Sequence, residues 1–438
     1  MDPKKNDSSI YFPTPFELAL WLTLLTLILA IFLTKPGELS YVQYGTEVLG
    51  FWRIGFWELL DFTLQMVLIL IFGHALALSP IIQKCLKNLA SWPSNQIQAT
   101  FLVAAGALLG GYLNWGFGLI LGAVLAKEVG AQAKLNRQPI NYALLAASGY
   151  LGMMIWHGGL SGSAPLKVAE NGHFLMQEIG VIPIGETLLS HFNMSINALI
   201  LLVLAILLYL MAKYSRSDSW PKPTLSDGGH KPSTKSGKGG IWIGMLMVIS
   251  GFLAILQDFS YDLAFINLNY INFMLFGLGL ISHQNLTDYV KAIQTALTGA
   301  AGIILQFPFY AGILGIFKYS GLLVALGGFF VTFSNADTFP IVTFFSASLF
   351  NFFIPSGGGQ WAIQGPVMIE AAKNFDLEIP KMIMIMAYGD QVSNMLQPFW
   401  ALPLMAITGV TGKELFKYTS IFFLVGTLVF LLGILIWF

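Results

Sequence analysis

Two stretches of this chain, Ile196–Ala212 and Tyr418–Phe438, carry no charged residue, and a third, Phe16–Thr34, carries only Glu17. Runs of roughly 20 apolar residues are the length that crosses the hydrocarbon of a bilayer. The pattern recurs at Phe56–Ser79, Ala99–Leu113, Phe117–Ala126, Tyr142–Trp156, Ile241–Leu256, Leu263–Ile281 and Ala292–Phe317. It continues at Leu322–Phe333, Ile341–Phe353, Ala362–Ala372, Ile383–Met395 and Phe399–Ile407. Composition closes the alternatives. Of 438 residues, 56% are AVILMFWYC and only 10% are charged, against about 25% charge in a soluble chain. The fold class is therefore an all-α polytopic membrane protein with roughly 11 crossings. A net charge of zero offers no field for nucleic acid. Cys85 is alone, and the six histidines form no HxxxH or HxH pair, so neither a disulfide, a metal nor a cofactor is expected.

Several runs are too short to cross by themselves. They read as broken or re-entrant helices, which are stable only against protein or an aqueous cavity. Lys4 and Lys5 precede the first run as in a signal peptide, but Glu17 and the lack of an A-x-A exit point to an uncleaved span. With the N-terminus inside, 13 basic residues up to the seventh span fall on that side and three (Lys35, Arg53, Lys167) on the other. The bias predicts a cytoplasmic N-terminus. Ser215–Gly240, rich in Ser, Pro, Gly and Lys, reads as a flexible cytoplasmic linker.

The chain repeats itself. Leu64-Gln65 matches Leu305-Gln306, Gly73 matches Gly312, Ser94-Asn95 matches Ser334-Asn335, and Thr100-Phe101 matches Thr338-Phe339. Asn114 then matches Asn351, Tyr150 matches Tyr388, and Pro165-Leu166 matches Pro403-Leu404, with every offset between 237 and 241. By the loop count the two units enter the membrane with opposite sense, the arrangement of inverted repeats in secondary transporters. The division expected is 1–55, an N-terminal span and loop; 56–166, the first repeat; 167–212, a loop and span; and 213–240, the linker. Residues 241–291 would supply two connecting spans, 292–404 the second repeat and 405–438 the last span. A binding site would lie where broken helices of the two units meet.

The polar breaks carry the chemistry. In Pro355-Ser356-Gly357-Gly358-Gly359-Gln360, proline ends one helix and the glycines allow positive φ and close backbone approach. The next helix would turn its N–H groups and positive dipole end toward the break, a natural carboxylate site. A plain glycine-rich turn is the alternative. Asn351, Gln360, Asn394 and Gln397 add polar contacts. Trp361 and Trp115 would flank an apolar tail, while Asn114, Ser161 and Ser163 face the carboxylate from the first unit. Asp390 lies in an apolar span, where an acid is costly and functional. It would carry a coupling proton or a cation, or pair structurally. His157 occupies the matching break of the first half and is either a proton carrier or a packed helix-end residue. Asp337 is a third coupling candidate or a helix cap. The absence of arginine from the spans suits a small monocarboxylate. Gly159-Leu160-Ser161-Gly162 also spells the G-x-S-G of intramembrane serine proteases, which need a buried histidine base beside the serine; only His74 was available on a separate helix.

The segments TFSNADTFPIVTFFSASLFN, NFFIPSGGGQWAIQGPVM, LQFPFYAGILGI, YGDQVSNMLQPFWALP, NWGFGLI and HGGLSGSAPL resemble the AtoE-type short-chain fatty acid transporter family over nearly the whole chain. The resemblance implies a bacterial inner-membrane carrier of small monocarboxylates such as acetoacetate or butyrate. It implies two inverted repeats, an elevator-like movement, a coupling H+ or Na+ and a homodimer. Ser334-Asn335-Ala336-Asp337-Thr338 is similar to the Ser-Asn-Thr hairpin tips of related dicarboxylate carriers, with Ala336-Asp337 inserted. A sodium-coupled carrier and a passive channel for small acids remain as alternatives.

Overall fold

The computed structural model describes residues 14–215, 239–257, 268–283 and 285–438. Nearly all of the expected linker, Lys4, Lys5 and the start of the Leu263–Ile281 run lie outside the described residues. Within them the regular elements are helical. The first half holds α1 (Pro15–Leu33), α2 (Tyr41–Gly55), α3 (Leu60–Ala77), α4 (Pro80–Ala90), α5 (Gln96–Leu113), α6 (Trp115–Leu135), α7 (Tyr142–Ser148), α8 (Ser163–Ala169), α9 (Met176–Ile179) and α10 (His191–Tyr214). The second holds α11 (Gly239–Gln257), α12 (Leu268–His283), α13 (Leu286–Leu297), α14 (Ala301–Ser320), α15 (Leu322–Thr332), α16 (Phe339–Phe353), α17 (Gly357–Asn374), α18 (Ile379–Ser393), α19 (Pro398–Thr408) and α20 (Gly412–Trp437). Among the described residues, seven helices are long and apolar enough to cross a membrane, counting Leu286–Ser320 as one. Gly239–Ala254, α15, α16 and α19 are apolar but shorter.

The surface is greasy, and polar residues are buried among the apolar ones of the interior. Trp21, Phe32, Leu202 and Leu435 point outward, while Asn351, Gln391, Ser393 and Asn394 are buried. Lipid makes apolar exposure cheap and unpaired polar groups dear, so polar residues collect between helices. Helix ends follow side-chain caps: Thr14 with Glu17 at α1, Asn95 at α5 and Thr411 with Glu414 at α20. Pro308, Pro366 and Pro403 lie inside α14, α17 and α19 without ending them, as packed membrane helices tolerate. Pro355 does separate α16 from α17, and Ile354 before it, at φ −121 and ψ 79, has left the helical region, which a following proline disfavours.

Three run boundaries differ from the sequence reading. Phe117–Ala126 and Ala362–Ala372 were expected to be short half-helices, yet α6 has 21 residues and α17 has 18. Hydropathy missed the polar ends of both, which are still helical. Tyr142–Trp156 goes the other way: α7 is followed by tight turns at Leu151–Met154 and Trp156–Gly158. There a Cβ on Gly111 of α5 would stand 2.6 Å from Gly152 Cα, so backbone meets backbone where side chains would hold a regular helix away.

The duplicated positions fall on helices in the same order. Gly73 and Gly312 lie in α3 and α14, Asn95 and Asn335 precede α5 and α16, and Pro165 and Pro403 lie in α8 and α19. α4 packs on α6 as α15 does on α17, and α5 packs on α7 as α16 does on α18. The closing helices cross over, α19 against α6 and α8 against α17.

Candidate functional site

The segment from Trp156 to Ser163 is irregular backbone inside the protein, so its polar groups need partners from other elements. Gly158 O accepts from Asn193 Nδ2 (2.8 Å) and Asn197 Nδ2 (2.9 Å) of α10, and Leu160 N–H donates to Tyr112 O (2.7 Å). Ser161 Oγ accepts the first N–H of α6, from Trp115, at 3.0 Å. Asn114 Oδ1 accepts the next two, from Gly116 (3.0 Å) and Phe117 (3.1 Å). The start of α6 is thus closed by Asn114 and Ser161, whose oxygens the sequence reading had turned toward a carboxylate.

The same segment also touches α17. Ser356 caps that helix by accepting Gly359 N–H at 3.2 Å. A Cβ on Gly357 would lie 2.5 Å from His157 Cε1 and 3.0 Å from Ser163 Oγ, while Gly358 faces open space. Gly357, Gly358 and Gly359 are not at positive φ, contrary to expectation; what Gly357 provides is close approach. The positive end of the α17 dipole therefore sits on His157 and favours negative charge nearby.

His157 and Asp390 meet there, Nε2 to Oδ1 at 3.2 Å, with their side chains only 1% and 4% exposed. The contact has ion-pair distance without hydrogen-bond alignment. His157 Nδ1 accepts Ser163 N–H (3.3 Å), which assigns the ring proton to Nε2, facing Asp390. His157 N–H donates to Gln391 Oε1 at 2.9 Å, and its ring lies 3.6 Å from that of Trp156. Behind Asp390, Asn351 Nδ2 is in reach of Asp390 O (3.0 Å), Ser393 Oγ (2.9 Å) and Asn394 Oδ1 (2.6 Å). Gln397 Nε2 donates to Asn351 O at 2.5 Å, and Tyr150 OH to Asn394 O at 2.9 Å.

Around the pair, buried polar atoms have no hydrogen-bond partner among the described residues: the donors Gln391 Nε2, Asn394 Nδ2, Trp156 Nε1 and Trp400 Nε1, and the acceptors Asn351 Oδ1 and Gln397 Oε1. Each such group costs about 1–3 kcal/mol, so a cluster of them marks a place built for water or a ligand. An apolar wall adjoins it: Trp115 lies 4.8 Å from Trp400 and 6.0 Å from Trp156, and Phe399 stacks on Phe307 at 3.9 Å.

The structure gathers His157, Ser161, Ser163, Asn114, Trp115, Asn351, Ser356, Gly357, Asp390, Asn394 and Gln397 at this junction. It separates three others. Asp337 sits on an exposed turn, its N–H on Asn335 Oδ1 (3.1 Å), at the far end of α16, about 20 Å away. Trp361 packs on Phe174, centroids 6.2 Å apart, and not with Trp115. Gln360 donates to Ala347 O (3.0 Å) and Gln364 Oε1 (2.8 Å) within the second half. Asn114 caps α6, whereas the residue that caps α17 is Ser356. Gln391, Trp156 and Trp400 are not among the site residues expected from the sequence, although each adjoins a residue or glycine break that was singled out.

A helical membrane protein whose buried polar groups converge where two helix starts meet has the build of a transporter. The chain belongs to the short chain fatty acid transporter family, which it matches over residues 6–224 and 229–437. It is 38% identical to a protein of Escherichia coli (strain K12) and 36% identical to one of Haemophilus influenzae, in both cases over 97% of this chain and 96% of the other. Both relatives are provisionally named short-chain fatty acid transporters. Among solved structures it is similar to Neisseria gonorrhoeae MtrF, of a class of antimetabolite efflux pumps (15% identity, 96% of this chain and 94% of that one, TM-score 0.45). It is also similar to the Alcanivorax borkumensis YdaH transporter (18% identity, 96% and 98% coverage, TM-score 0.44). At those scores the likeness carries no argument. The chain is a membrane transporter and not an enzyme, which sets the protease reading of Ser161 aside.

Proposed function

We propose that this transporter carries short-chain monocarboxylates, such as butyrate or acetoacetate, by proton symport across a bacterial inner membrane. The observation that carries the reading is the buried His157–Asp390 pair, 3.2 Å apart, joining the two halves. A proton shared there changes the charge beside the α17 start as a carboxylate enters, which ties the two movements together. The unpaired donors of Gln391, Asn394, Trp156 and Trp400 suit the carboxylate, and the Trp115–Trp400 wall suits a short tail. The crossed packing of α19 on α6 and α8 on α17 supports two inverted repeats, and with them alternating access by an elevator-like movement. The basic-residue bias supports a cytoplasmic N-terminus, and the family resemblance supports a homodimer. A sodium-coupled version has one observation in its favour, the unpaired acceptors Asn351 Oδ1 and Gln397 Oε1 beside Asp390.

Uptake of labelled butyrate and acetoacetate into proteoliposomes, under imposed pH or sodium gradients, tests this. The expected result is uptake driven by the pH gradient and lost in Asp390→Asn. Uptake driven by sodium alone overturns proton coupling, and no uptake of either acid overturns the substrate class.

A further inference from the structure

The peptide that follows His157 is held from another helix. On the buried face of α10, Asn193 and Asn197 stand one turn apart beside Phe192, Ile196 and Ile200. Both amides donate to a single acceptor, Gly158 O, at 2.8 Å from Asn193 Nδ2 and 2.9 Å from Asn197 Nδ2. A carbonyl oxygen has two lone pairs, so this one is saturated. The grip needs a glycine: a Cβ on Gly158 would stand 2.8 Å from Asn193 Oδ1 and 2.8 Å from Asn197 Oδ1.

Asn193 also reaches the second half of the chain. Its Oδ1 accepts from Tyr388 OH at 2.9 Å, and its Nδ2 donates a second bond, to Leu188 O, at 2.6 Å. Turning the amide over would set its oxygen against two carbonyls, so these partners assign its orientation. Tyr388 lies on α18, two residues before Asp390. Its ring stacks on Phe430, centroids 5.1 Å apart, and meets Phe192 at 6.0 Å. One buried side chain thus bonds the residue after His157 through its nitrogen and the helix of Asp390 through its oxygen.

This bracing bears on the pair because of the separation it sets. Proton transfer needs heavy atoms about 2.6–3.2 Å apart. His157 Nε2 stands 3.2 Å from Asp390 Oδ1, at the outer edge of that range. The turn Trp156–Gly158 is three residues long and has no helical ladder to keep its place. A functional constellation tolerates displacements of about 0.5 Å, and a peptide held by one weak contact would exceed that.

We propose that Asn193 and Asn197 are positioning residues for proton coupling. From α10 they fix His157 against Asp390, acting through the Gly158 carbonyl on one side and the Tyr388 hydroxyl on the other. The proposal rests on the reading above in which this pair carries the coupling proton.

The test compares two rates of labelled butyrate movement in proteoliposomes of the full chain, each corrected for protein-free vesicles. Net uptake under an imposed pH gradient requires the pair to give up its proton before the empty carrier returns. Exchange of labelled for unlabelled butyrate at equal pH does not, because the carrier returns loaded. The ratio of net uptake to exchange therefore reads coupling, whereas a loss of folded protein lowers both rates alike. In the double variant Asn193→Leu/Asn197→Leu, which keeps the branched shape and removes both amides, the ratio falls several-fold. Asn197→Leu alone leaves one donor on Gly158 O and lowers it less. Tyr388→Phe keeps the ring and loses only the hydroxyl, so it tests the α18 arm even where the double variant does not fold; it too lowers the ratio. The proposal is overturned by an unchanged ratio in Tyr388→Phe or in a folded double variant, or by net uptake and exchange that fall together. The wild type separates the two readings. Wild-type uptake driven by the pH gradient, with an unchanged ratio in the variants, sinks the positioning role alone. No such wild-type uptake sinks proton coupling and the positioning role with it.

Discussion

At Gly357 a single methyl group decides whether the two halves fit. The added carbon meets the His157 ring and Ser163 Oγ at overlap distances, and overpacking of this kind costs about 1–3 kcal/mol. Gly357→Ala is expected to lower the melting temperature in detergent and to cut uptake. Gly358→Ala, one residue on and facing open space, should leave the melting temperature unchanged. His157→Gln and Asp390→Asn touch one contact, so their effects on the melting temperature should fail to add; a double variant that falls by the sum of both would show that the pair does not act as a unit. Asp390 and His157 were legible because an ionisable group in an apolar run is rarely idle. Asp337 misled for the same reason, since a one-dimensional pattern cannot tell a turn at the surface from a break in the interior. The unpaired amide of Gln391 and the indole nitrogens of Trp156 and Trp400 carry no such mark, because whether a donor finds a partner is decided by neighbours distant in the chain.

At the scale of elements, the candidate site is made by helix beginnings. Ser356 supplies the cap of α17, and Ser356→Ala is expected to cost about 1 kcal/mol, read as a lower melting temperature and weaker uptake of butyrate. The Gly111–Gly152 contact lets the turns after α7 lie flat on α5. Gly111→Val, with two methyls where Gly152 backbone stands 2.6 Å from a bare Cβ, should reduce the monodisperse fraction on size exclusion; an unchanged profile would refute the packing argument. Hydropathy located most helices but misjudged three ends. It reads solvent preference, whereas α6 and α17 are prolonged by capping and by partners on other helices, and the turns after α7 are imposed by backbone contact that no window of sequence contains.

Across the whole molecule, the candidate site draws on both halves. Asn114, His157 and Ser161 come from one, Asn351, Asp390 and Gln397 from the other. A chain divided at 225–228, where the family match is interrupted, should therefore transport butyrate when both pieces are co-expressed and not when either is expressed alone. Co-purification of the pieces through an affinity tag on one of them checks assembly separately from uptake. The seven short matches at a steady offset fall on helices in the same order. The crossing of α19 onto α6 and α8 onto α17 could not be anticipated, since sequence order says which elements correspond and nothing about whose partner each becomes.

The segment from His157 to Ser163 rests on the starts of two helices at once, holding α6 through Ser161 and α17 through His157 and Ser163. Only the grip on α17 crosses from the first half to the second, so loosening it would free α17 from the segment while Ser161 still fastens that segment to α6.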